Sequence, residues 1–169
     1  VTVVLAVGTQ TGWGLDWPIG AHVAVQNDCD HGEFDPSACT WAVEASRGTV
    51  LLAGDSASWA VADGVITAAG ELGYDTTVAA LNGCAFVYPD VELPGDWAGC
   101  REFRSAVVEF AISARPVAVV ISNWSTGYVS NRPFSRMRWT SGLVGLFDVF
   151  NDAGVPVVVI SSYPIGDTY

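Results

Sequence analysis

The sequence predicts an α/β fold, a three-layer sandwich in which a parallel sheet of four or five strands carries helices on both faces. Three observations point there. From residue 49 onward, short apolar runs alternate with helical patterns in the order strand, helix, strand, helix, strand, helix, strand. The runs "TVLLAG", "TTVAAL", "VAVVIS" and "VPVVVIS" are almost unbroken in apolar and β-branched residues, as in strands buried on both faces. Each connection is long enough to hold the helix that a parallel pair needs.

The elements follow in order. Residues 1–169 read as a single domain in which 1–47 is an irregular N-terminal region, with "GTQTGWGLDWPIGAH" rich in Gly and Trp. "WAVEASRG" reads as a short strand or a turn leading to Gly48. A strand is predicted over 49–54. Trp59, Val61, Ala62, Val65, Ile66, Ala69 and Leu72 recur at helical spacing over 57–72, and Gly73 fits the position just after the helix end. A second strand is predicted over 76–81 and an amphipathic helix over 101–115, stopped by Pro116. The third strand is 117–122. A helix over 141–154 ends at a glycine, and the fourth strand is 155–161.

Composition narrows the function. Half of the residues are hydrophobic and 15% are charged, which describes a packed chain rather than a disordered one. The net charge is −11, and all seven cations are Arg. Such a surface repels nucleic acid and anionic lipid, and nucleic acid is not expected as a partner. "VTVVLAV" is too short to span a bilayer and lacks a basic flank and a cleavage site. The targeting segment of an exported protein is therefore expected outside this chain.

Cys29, Cys39, Cys84 and Cys100 show neither CxxC nor zinc spacing, so no metal site is expected. Their even number in two short-range pairs suggests disulfides 29–39 and 84–100, closing irregular loops and implying an oxidising compartment. Four free buried thiols in a reducing compartment is the other reading of the count.

In parallel sheets, ligands bind beyond the C-terminal ends of the strands. Those ends are Gly54-Asp55-Ser56, Leu81-Asn82-Gly83, Ser122-Asn123-Trp124 and Ser161-Ser162-Tyr163. Ser56 stands where a strand turns into a helix, so its hydroxyl can project above the sheet edge and its N–H can point into the same space. Asp55 and Ser56 are also both good helix caps, which is the plainer reading of the pair. Gly83 allows a close backbone approach, and Asn123 offers an amide donor. Together the three tips can build an oxyanion hole, and singly they are ordinary turn residues.

In combination these residues resemble the SGNH (GDSL-type) hydrolases. "LLAGDSAS" is similar to block I, the glycine of "NGC" at 82–84 to block II, and the asparagine of "SNW" at 122–124 to block III. Trp59, Cys84 and "VVISNW" further resemble the SGNH domain that follows a membrane acyltransferase-3 domain. The resemblance covers roughly 27–165. It implies Ser56 as nucleophile, the Ser56 N–H, Gly83 N–H and Asn123 amide as oxyanion hole, and Asp55 as the residue that positions the turn. It implies transfer of a short acyl group, typically acetyl, between an acyl donor and a glycan or glycolipid acceptor of the cell envelope, through an acyl-serine and without a cofactor. It further implies an extracytoplasmic domain, tethered through a membrane acyltransferase domain in the parent chain.

Two features depart from the family pattern. Ala57 stands where the subtype often has His. The late Asp-x-x-His that supplies the family's general base is not found within 1–169, whose histidines are His22 and His31. Three explanations stand. The chain is a fragment lacking that C-terminal segment, the base comes from elsewhere with His31 of the 29–39 loop as candidate, or the domain binds glycans without catalysis. A flavodoxin-like binder whose "GDSAS" cradles a phosphate or cofactor is a further alternative.

Other residues carry weaker expectations. Trp13, Trp17 and Trp41 fall in the irregular region, where a ligand face would fit, whereas Trp59 and Trp139 follow helical patterns and read as core. Arg132, Arg136 and Arg138 read as a solvated loop.

Overall fold

The computed structural model describes residues 5–6, 29, 33–93, 96–128 and 133–161. The strands are β1 (Leu5–Ala6), β2 (Thr40–Trp41), β3 (Thr49–Gly54), β4 (Asp75–Ala80), β5 (Ala118–Asn123) and β6 (Val157–Ser161). The helices are α1 (Ser56–Glu71), α2 (Cys100–Ala114), α3 (Ser125–Tyr128) and α4 (Pro133–Asp152). The sheet order is β1-β6-β5-β3-β4-β2, parallel except for the short edge strand β2, which pairs antiparallel with β4.

The alternation of side chains along a strand explains the three layers. Leu52, Val78, Ala80 and Val120 point to one face, where Ala62 of α1 packs on them with half-buried Trp59, Val65 and Ile66. Leu51, Ala53, Ala79, Val119 and Ile121 point to the other, under Phe103, Val107 and Ala111 of α2 and Leu146 and Phe150 of α4. Burying each large apolar side chain contributes about 1.5–3 kcal/mol.

Helix ends follow local chemistry. Gly73 (φ +78°) closes α1 as expected: its N–H bonds Gly70 O, and Tyr74 N–H bonds Ala69 O, the paired pattern of a left-handed cap. The last helix differs from expectation, beginning at Pro133 rather than near 141. Proline suits a first helical position because its φ is already helical and it has no N–H to leave unpaired. Arg136 and Arg138 therefore lie on a helix, not in a loop, and Arg138 donates to Glu92 O at 3.2 Å.

Both expected disulfides are present, Cys29–Cys39 and Cys84–Cys100, with Cα separations of 5.6 and 5.5 Å. Trp41 packs half-buried against the α1 side of the core rather than facing a ligand. Trp139 is buried and stacked on Tyr128, with centroids 5.6 Å apart. Trp13, Trp17, His22, His31 and Arg132 lie outside the described residues.

Candidate active site

The site begins with register. Gly54 is paired with Ala80 on one side and Ser122 on the other. The tips 81–83, 54–56 and 122–124 therefore stand side by side, one strand spacing of about 4.8 Å apart. The chain also changes direction across the sheet here, with β4 on one side of β3 and β5 on the other. Open α/β sheets bind ligands beyond the strand ends at such a switch, and Ser56 and Asn123 belong to the tips on its two sides.

Gly54 permits the close approach of β3 to β5. A Cβ added there would collide with the Ser122 carbonyl oxygen and the Ser58 hydroxyl. That hydroxyl is buried and donates to Ser122 O at 2.8 Å, tying the first turn of α1 to β5.

Asp55 is the N-cap of α1. Its carboxylate accepts from Ala57 N–H at 2.8 Å and from Trp124 N–H at 2.9 Å. One buried acid thus joins the β3 tip, the start of α1 and the β5 tip. Burial raises its pKa, and the hydrogen bonds it accepts oppose that rise. The Tyr128 phenol is held far above its ordinary value by burial and then by the Asp55 charge, so it stays protonated.

Because Asp55 performs the capping, Ser56 is released from that duty. It is the first residue of α1 and is half-buried. Nothing among the described residues hydrogen-bonds its hydroxyl. Its N–H is among those that a helix start leaves without an intrahelical acceptor, at the positive end of the helix dipole.

Gly83 occupies an exposed turn with φ +68° and open space around it. Asn123 is buried, and its carboxamide clasps the backbone of Phe86. Oδ1 accepts from Phe86 N–H at 2.9 Å, and Nδ2 donates to Phe86 O at 3.1 Å. An amide nitrogen carries two hydrogens, so one donor is left over. Among the described residues, three adjacent tips therefore carry one hydroxyl without a hydrogen bond, two backbone N–H groups and one further amide hydrogen.

The segment after β4 is held from below. Arg104 of α2 is 1% exposed and bonds Ala85 O, Val91 O and both carboxylate oxygens of Asp96 at 2.5–2.9 Å. Sequence reasoning did not single out Arg104, although a charge between Phe103 and Val107 on an apolar stripe is a signal that it is buried. Tyr128 was missed too. It sits in a four-residue helix, too short to leave a periodic pattern.

A family model described as the SGNH domain fused to AT3 domains matches residues 25–169. The chain belongs to this family. No curated protein matches it by sequence. Among solved structures it is similar to the periplasmic domain of a lipopolysaccharide acetyltransferase from Salmonella ser. Paratyphi A, with a TM-score of 0.62 and 13% identity. The match covers 86% of this SGNH domain and 56% of that chain, so the present chain spans about half the neighbour's length. At that identity the likeness speaks for the fold.

Proposed function

We propose that this SGNH domain carries out serine-dependent transfer of a short acyl group, acetyl by preference, to or from a hydroxyl of a cell-envelope glycan or glycolipid. The observation that carries the reading is the division of labour at the β3 tip. Asp55 caps α1, and the half-buried Ser56 hydroxyl at the β3 tip is left without a hydrogen bond among the described residues.

The chemistry follows from that placement. Ser56 Oγ attacks the acyl carbonyl carbon and yields its proton to a base. The oxyanion is held by the Ser56 and Gly83 N–H groups and the remaining Asn123 Nδ2 hydrogen. The donor alcohol departs with a proton, leaving an acyl-serine. An acceptor hydroxyl, or water, then attacks that ester, loses its proton and restores Ser56. The base is assigned by family pattern to a late Asp-x-x-His in a segment beyond residue 169 of a longer parent, with His31 as the second candidate. The two disulfides support an extracytoplasmic site of action, and the family's fusion to AT3 domains supports a membrane tether.

A second reading is a glycan-binding domain without catalysis. The clasp of Asn123 on Phe86 favours it, because it gives that amide a structural duty. Hydrolysis of p-nitrophenyl acetate separates the two, measured on this chain, on its Ser56→Ala variant and on a version extended past Tyr169. Acyl transfer predicts turnover that needs the extension and falls at least about 10³-fold in Ser56→Ala. Absence of Ser56-dependent turnover in all three, with or without a sugar acceptor, sinks it in favour of binding.

A further inference from the structure

Five tryptophans fall among the described residues, and the fold treats them in two ways. Trp41, Trp59 and Trp139 pack on the core. Trp97 and Trp124 are 46% and 49% exposed. Both exposed rings belong to the end of the sheet that carries Ser56, on opposite sides of it. Trp124 directly follows Asn123 at the β5 tip. Trp97 is tied to the β4 tip, where its Nε1–H donates to Asn82 O at 3.2 Å.

The Trp97 ring is also held in place. It lies against Gly99, where a Cβ would stand 2.8 Å from Cζ3 in a backbone with φ +111°. A side chain at Gly99 would push the ring away. Trp124 is anchored at its backbone by the Asp55 carboxylate. The Trp97 ring is thus preorganised, and a preorganised aromatic binds a ligand with little loss of freedom.

The surroundings select the ligand. The two rings are separated by the polar tips Asn82-Gly83 and Asp55-Ser56, so they do not form the continuous groove that a fatty chain needs. Two half-exposed indoles offer far less than the roughly 800 Å² per partner of a stable protein interface, which disfavours a second copy. The net charge of −11 disfavours a polyanion. A pyranose ring fits, since it presents C–H faces to aromatic rings and hydroxyls at its edge. We infer that Trp97 and Trp124 flank Ser56 as two separate aromatic stacking faces for sugar rings of an uncharged glycan acceptor. The inference rests on the acyl-transfer reading for its purpose, although binding is tested apart from turnover.

The test uses the full chain carrying Ser56→Ala, so that no acyl transfer accompanies binding. Titration with N-acetylglucosamine tetramer and with maltotetraose is followed by intrinsic fluorescence and calorimetry. Saturable binding of at least one is expected, weakened about tenfold or more by Trp97→Ala and by Trp124→Ala and largely kept in Trp97→Phe and Trp124→Phe. The aromatic replacements guard against loss of fold, which circular dichroism checks. The inference is overturned by absence of saturable binding to either sugar, or by folded alanine variants that bind as the parent does. It is equally overturned if the alanine changes abolish only binding of decanoate micelles or self-association. Failure of Ser56-dependent turnover alone would overturn the acyl-transfer reading and leave the stacking faces standing.

Discussion

Asp55 is the residue on which the site turns, because one side chain caps α1 and holds the β5 tip. Its pKa is raised from 3.8, chiefly by burial. In the range just above 3.8 the unfolded chain has released the proton while the folded chain keeps it. The folded state then binds more protons, so stability falls as pH rises through this window and the loss is complete above the folded pKa. Asp55→Asn keeps Oδ1, which accepts from both Ala57 and Trp124, but carries no charge. Urea unfolding at a series of pH values should show that descent flattened in the variant, and an unchanged slope would assign it to other groups. Asp55→Ala, by contrast, removes the cap and the Trp124 anchor and should cost about 1–3 kcal/mol at any pH.

Two elements hold the segment that carries Gly83 and Trp97. The Cys84–Cys100 disulfide closes a loop of sequence separation 16. Replacing both cysteines by Ala keeps their buried apolar character and frees the loop, which should cost about 3 kcal/mol, read as a lowered urea midpoint. A midpoint equal to the parent's would show that packing alone holds the loop. Arg104 is the second tie. Arg104→Leu leaves Ala85 O and Val91 O without their donor and Asp96 without its counter-charge, and should cost about 3 kcal/mol or more. Faster hydrogen exchange of the 85–93 amides should accompany it. Exchange rates that stay at parental values would mean that the arginine does not organise this loop.

Across the whole molecule, a net charge of −11 on 169 residues sets up self-repulsion that salt relieves. Raising ionic strength from about 10 mM to about 0.5 M sodium chloride should therefore raise the melting temperature of the oxidised protein. A fall would indicate that attractive ion pairs such as Arg101–Asp90, both exposed, outweigh the repulsion.

The sequence by itself determined the layered α/β order, the four central strands and the first two long helices to within about two residues, because periodicity and capping act between near neighbours. Gly73 at the end of α1 is the clearest case. It also suggested the cysteine pairing that the structure carries and displayed the family motifs at the strand tips. Only the tertiary structure decided which residue of the Asp55-Ser56 pair caps the helix, since both suit that position locally and Asp55 is also held by Trp124, 69 positions further along the chain. It likewise decided that Asn123 grips Phe86, that Arg104 is buried, and that Trp97 and Trp124 stand exposed. These are contacts between segments distant in sequence, set by strand register and loop closure, and no local pattern encodes them.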